Sequence, residues 1–161
     1  MNPYSGPVKS ESAAVCIGMF DGVHRGHQTL IAAGRAVANQ HQEPLVVLTF
    51  DPHPLYVLNP RIAPPMITTL NQRSRLLKHF GADQVVTKKF TREFSELSSE
   101  KFFHDVLIGE LRASAVIVGE NFRFGNHASG TLDTLQSLGK PLGTRIHGVK
   151  LASDHSPISS S

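Results

Sequence analysis

The stretch "GMFDGVHRGHQTLI", Gly18 to Ile31, decides how the chain folds. It opens on the end of an apolar run and closes inside a segment with helical spacing. Ala13 to Phe20 shows no polar alternation and reads as a strand buried on both faces. Arg25 to Gln40 reads as a helix, with apolar or small residues at Leu30, Ile31, Ala33, Val37 and Ala38. A buried strand that turns directly into a helix is the opening unit of an α/β sheet. Within the turn, His24 and His27 flank Gly26.

The same alternation continues outward from this unit. Leu45 to Phe50 is a second buried strand, stopped by Asp51-Pro52-His53-Pro54 because proline removes ladder donors. A proline-punctuated loop is expected from there to about Ile67. Thr69 with Gln72 forms a capping box for a helix through Phe80, ended by Gly81. Gln84 to Thr87 reads as a third strand. Ser99 to Leu111 reads as a helix with Phe102, Phe103, Val106, Leu107 and Leu111 at helical spacing. Ala115 to Gly119 is a fourth strand, Thr131 to Leu138 a short helix stopped by Gly139, and Arg145 to Ala152 a fifth strand. No repeat or low-complexity segment interrupts the pattern. The expected fold class is α/β: a doubly wound parallel sheet of about five strands. Residues 1–12 are expected to be a loose leader, and residues 13–161 one domain.

Composition narrows the function classes. A chain of 161 residues suits one domain, and 40% hydrophobic residues suffice for an ordinary core. The single cysteine, Cys16, excludes an internal disulfide framework and reads as a small core residue. No apolar run has the length of a membrane span and no signal peptide opens the chain, so the expectation is a soluble cytoplasmic protein without a membrane partner. A net charge of +3 suits phosphate-bearing small ligands and argues against nucleic acid as a partner. Arg73, Arg75, Lys78, Lys88, Lys89 and Arg92 read as a solvated helix face.

In doubly wound sheets ligands sit beyond the carboxyl ends of the strands. Three such ends carry polar or glycine-rich stretches here: Asp21 to His27, Asp51 to Pro54, and Gly119 to Gly125. A helix start offers free N–H groups and a positive dipole end, which favour phosphate. Gly22 and Gly26 would let a phosphate approach the backbone, and His24 and His27 could donate to its oxygens. Two other readings compete. His24, His27 and His53, with Asp21 or Asp51, could hold zinc; or the histidines could only cap the helix. The glycines favour phosphate.

"GMFDGVHRGH" also carries the His-x-Gly-His motif of the nucleotidyltransferase superfamily. With "LTFDPHP" from Leu48, "FSELSSEKFFHDVL" from Phe94 and "VGENFRFG" from Val118, the chain resembles the FMN adenylyltransferase module of prokaryotic bifunctional riboflavin kinase/FAD synthetases. The resemblance implies a Rossmann-like nucleotidyltransferase fold and a transferase of riboflavin metabolism, active in FAD biosynthesis. The FMN phosphate would attack the α-phosphorus of ATP, giving FAD and pyrophosphate, with no covalent enzyme intermediate. It implies catalytic roles for His24, His27 and Asn121, and ATP binding by Gly18, Phe20, Asp21, Gly22, Gly26, His53 and Gly119. Pro52, Pro54 and Phe124 would line the flavin side. Mg²⁺ is expected with ATP, with no protein ligand assigned. The alternatives are a nucleotidyltransferase for another phosphorylated metabolite, or a non-catalytic flavin or nucleotide binding module.

The family's second motif, Ile-Ser-Ser-Thr-x-Ile-Arg, completes the ATP site. Here it reads Ile158-Ser159-Ser160-Ser161, with serine in place of threonine and no position for the arginine. Ser159, Ser160 and Ser161 are still expected at the ATP site. The expectation is an adenylyltransferase domain without its C-terminal helix or the riboflavin kinase domain. Such a chain would bind flavin but turn over ATP poorly, and Ile146, Val149 and Leu151 would be partly uncovered.

Overall fold

The computed structural model describes residues 11–22 and 25–151. Five strands, β1 (Ala13–Ile17), β2 (Leu45–Asp51), β3 (Gln84–Lys89), β4 (Ala113–Gly119) and β5 (Arg145–Val149), form one sheet in the order β3-β2-β1-β4-β5. Every pairing is parallel. The doubly wound α/β fold read from the sequence is the fold observed, and the sheet is Rossmann-like.

The strands are apolar throughout because both faces are covered. Side chains alternate between two cores. On one face Val15, Ile17, Val46, Leu48, Val116 and Val118 pack with Phe102, Phe103, Val106, Leu107 and Leu135. On the other, Ala14, Cys16, Leu45, Val47, Ala115 and Ile117 pack with Leu30, Ile31, Ala38 and Leu77. The second face is covered by α1 (Arg25–Gln40) and α3 (Leu70–His79). Helix α1 approaches closely at Gly34, where a Cβ would lie 2.4 Å from Cys16 Sγ. Burial pushes the Cys16 thiol up to about 12, so it is an inert core residue.

Helix α1 has the expected bounds, and the Thr69–Gln72 capping box is formed in both directions. Four local expectations need correction. First, β1 stops at Ile17, because Phe20 turns left-handed (φ 56°). Second, the segment after β2 is not a plain loop. Its Pro54 opens a short helix, α2 (Pro54–Leu58), with a 3₁₀ turn over Pro60–Ile62 behind it. Proline at a first helical position forfeits no hydrogen bond. Third, the segment after β3 begins with an unexpected turn, α4 (Arg92–Ser95). The helix beyond starts as α5 (Ser99–Lys101) but winds as a π-helix over Phe102–Glu110, burying all four of Phe102, Phe103, Val106 and Leu107. The chain then returns through α6 (Leu132–Gly139), capped by Thr131.

Fourth, Ser12, placed by sequence in the loose leader, donates to Glu43 Oε2 at 2.6 Å. Residues 1–10 of that leader lie outside the described residues, as do Ala152 and Ser159 to Ser161; β5, expected to reach Ala152, ends at Val149, and Lys150 and Leu151 lie beyond the strand. Ile146, Val149 and Leu151 are half-buried. Among the described residues no helix is long and apolar enough to cross a membrane.

Candidate active site

In this strand order the chain reverses direction between β1 and β4, which marks the crevice where open α/β sheets hold ligands. A cleft of about 1140 Å³ opens there. Its lining comes from the ends of β1, β2, β4 and β5 and from the segments that follow all five strands. Gly18, Phe20, Asp21, His27, His53, Pro54, Gly119, Asn121 and Phe124, all candidates from sequence, line it together. Pro52, Gly22 and Gly26 are not among its lining residues, and Gly26 is buried in the first turn of α1. His24 lies outside the described residues.

One half of the cleft is the loop after β1. Phe20 is fully buried, and the His27 ring meets it edge-on at 5.3 Å between centroids, so α1 presents His27 in a fixed orientation. Across from it stands His53, the N-cap of α2. Its Nδ1 accepts the Leu55 N–H at 3.1 Å, so in the neutral ring the proton resides on Nε2. Burial lowers the His53 pKa from its ordinary value; the Asp21 charge opposes this and Arg73 reinforces it. His53 is therefore a neutral Nε2–H donor at pH 7.

The other half is aromatic. Phe122 stacks on Phe124 (5.8 Å, 11°), and the chain of rings continues through Phe102 and Phe94 to Phe50 and Phe90. All six line the cleft. Arg92, Arg123 and Lys150 add cationic groups to the lining, His127 adds an imidazole, and Glu96 and Glu120 add carboxylates. Arg92 also donates to the Val57 carbonyl at 2.8 Å, tying α4 to α2.

Beneath both halves lies Arg73, which the sequence had placed on a solvated face. It is only 2% exposed. Its Nη1 donates to the Met19 carbonyl (3.1 Å), Thr49 Oγ1 (3.0 Å) and the Phe50 carbonyl (3.0 Å). The ends of β1 and β2 are thus pinned by one guanidinium. The signal was present in the sequence: Arg73 precedes Leu77 by four residues, on the face α3 turns to the core. The six-ring cluster carried no comparable signal, since its members come from five separate segments.

Among the described residues no group of three or more His, Cys, Asp or Glu side chains could hold a metal ion. Asp21, whose charge acts on His53, has both oxygens engaged by Ile67 and Thr68.

An open parallel sheet with its cleft at the switch point, histidine-bearing on one side and aromatic on the other, defines an α/β protein of the Rossmann-like kind. The chain belongs to the FAD synthetase family, whose sequence profile matches residues 7–161. It is 35% identical over 136 residues to the bifunctional riboflavin kinase/FMN adenylyltransferase of Escherichia coli (strain K12), covering 84% of this chain and 44% of that protein. It is 35% identical over 133 residues to the FAD synthetase of Listeria monocytogenes, covering 82% of this chain and 53% of that one. A solved structure titled as a macrolide-efflux protein from Streptococcus pneumoniae superposes with a TM-score of 0.81 at 25% identity, covering 96% of this chain and 50% of that chain. The chain spans about half the length of the curated relatives it matches.

Proposed function

We propose that this chain transfers AMP from ATP to FMN, giving FAD and pyrophosphate, and that it corresponds to the adenylyltransferase half of its bifunctional relatives. The observation that carries the reading is the two-sided cleft, in a chain of the FAD synthetase family. ATP and FMN are the proposed substrates and the cytoplasm the proposed location.

The triphosphate lies against the loop after β1 and the start of α1, where His27 and His24 donate to phosphate oxygens. His53 donates from the end of β2 through Nε2–H. Asn121 sits at the end of β4, close to the transferred phosphorus. The isoalloxazine ring packs against the apolar half, along Pro54 and Phe124, where flat aromatic surfaces suit it. Catalysis is then alignment of the FMN phosphate with the α-phosphorus, plus hydrogen bonds to the charge that builds on the departing pyrophosphate. A neutral donor such as His53 serves this purpose without adding a permanent charge.

Mg²⁺ bound with ATP would supply charge neutralisation on the triphosphate, held mainly through phosphate oxygens and water. That the Asp21 oxygens are already engaged supports assigning it no metal-ligand role. The test is pyrophosphate release by the purified chain with ATP and Mg²⁺. Release that depends on FMN and matches FAD formed supports the reading. Release with another phosphorylated metabolite and not with FMN, or flavin binding without release, contradicts it.

A further inference from the structure

The proline-bearing segment that follows β2 forms one wall of the cleft through Pro54, Leu58, Pro64, Pro65 and Ile67. It is joined to the loop after β1 through the side chains of Asp21 and Thr68. Asp21 Oδ2 accepts the Ile67 N–H at 2.7 Å. Asp21 Oδ1 accepts both the Thr68 N–H at 2.8 Å and the Thr68 hydroxyl at 2.7 Å. The Thr68 oxygen in turn accepts the Gly22 N–H at 3.4 Å, which closes a ring between the two segments. Two residues on, α3 begins, and its Arg73 grips the Met19 carbonyl. The loop Met19–Gly22 is therefore held at both ends by one stretch of chain, Ile67 to Arg73.

Such a carboxylate is poorly placed to serve as a phosphate contact. It repels anions, and three donors already converge on its oxygens. Burial raises its pKa, but the Thr68 hydroxyl, the two amides and the Arg73 charge outweigh this and hold it below the usual carboxylate range. The latch is thus ionised and formed at neutral pH. Ile67 itself is exposed at 67%, so little apolar packing fixes that end of the wall apart from these bonds.

We propose that Asp21 is a positioning residue that couples the two halves of the cleft, and not a ligand of ATP. This rests on the proposed FMN adenylyltransferase reading. A triphosphate ordering the loop after β1 orders the Pro64–Ile67 wall through Asp21 and Thr68. FMN then meets a wall whose ordering cost is already met, which is positive cooperativity without a large movement. Thr68 is the second member of the latch.

The experiment is titration of FMN fluorescence with and without a non-hydrolysable ATP analogue and Mg²⁺. Wild-type chain should bind FMN at least about 5-fold more tightly with the analogue present. Thr68→Val should bring that enhancement close to unity, with FMN affinity in the absence of nucleotide unchanged. Thr68→Ser, which keeps the hydroxyl, should restore it. An enhancement that survives Thr68→Val overturns the coupling. So does equal loss of FMN affinity with and without nucleotide, the result of a merely structural contact. A wild-type chain that binds both ligands with no enhancement overturns the coupling alone. One that binds neither overturns the functional reading as well.

Discussion

The two edges of the sheet are each organised by one charged side chain, and they use it differently. At the carboxyl edge Arg73 is buried among carbonyls, and the loops it pins form an open cleft. At the amino edge Glu43 accepts hydroxyl protons from Ser12 and Ser114, each at 2.6 Å, and pairs with Arg145 at 3.1 Å. Beside it Arg35 bridges Asp83 (2.7 Å) and the Gly81 carbonyl (2.9 Å). The amino-edge groups face one another, so the network closes on itself. The carboxyl-edge groups His27, His53 and Asn121 face the cleft. Electrostatic order is spent on stability at one edge and on presenting donors at the other.

Substitutions at the two edges should separate accordingly. The largest effect is expected for His27→Ala. Loss of one donor aimed at developing charge typically lowers turnover by roughly 10²–10³. FMN affinity and the melting temperature should hardly move; equal losses in turnover and affinity would make His27 a binding or structural residue.

Arg73→Met should come next and affect both properties. It removes the guanidinium bonds to the Met19 and Phe50 carbonyls and leaves the Met19 carbonyl only the Thr49 hydroxyl, a cost of about 1–3 kcal/mol, or several degrees in melting temperature for a domain of this size. Turnover should fall as well, because the loop after β1 loses its anchor. Calorimetry with steady-state rates checks both, and a melting change without a rate change would show the anchor to be irrelevant to the cleft.

Glu43→Gln should lower the melting temperature by a similar or smaller amount, with turnover and both substrate affinities unchanged. Only 12% of the Glu43 side chain is exposed, so Arg145 loses a real partner. A fall in turnover would erase the distinction between the edges.

The smallest effect is the pH dependence of stability. Burial raises the pKa of both Asp21 and Glu43. Their hydrogen bonds to Thr68 in one case, and to Ser114, Ser12 and Arg145 in the other, more than reverse this, so both are lowered on folding. The unfolded carboxyls titrate near about 4. The stabilisation is therefore complete above that pH and lost as pH falls through the lower folded values. Thermal melts should show a plateau at neutral pH and a decline below about pH 4 to 4.5. A plateau extending unchanged to pH 3 would remove both carboxylates from the account.

Much of the fold is legible in the sequence because it is periodic. Unbroken apolar strands, the spacing of Leu30, Ile31 and Ala38, and the Thr69–Gln72 box each carry a local signature. His27 and His53 of the cleft were also visible, since each stands just beyond a strand end whose local pattern marks it. What stayed hidden is non-local or runs against habit. The Asp21–Thr68 latch joins residues 47 apart in sequence. Arg73 contradicts the expectation that arginines face water, although its spacing from Leu77 puts it on the buried face of α3. Pro54 reads as a breaker but starts α2, with His53 as its cap. The π-helical winding of Phe102–Glu110 has no composition cue.

The central claim is that the carboxyl-edge cleft joins AMP to FMN. It is tested most directly by incubating the purified chain with Mg²⁺, FMN and ATP labelled at the α-phosphate. The account predicts label in FAD in step with unlabelled pyrophosphate, abolished by omitting FMN and cut roughly 10²–10³-fold by His27→Ala. Label that never enters FAD, or enters it equally well in the His27→Ala chain, would contradict it.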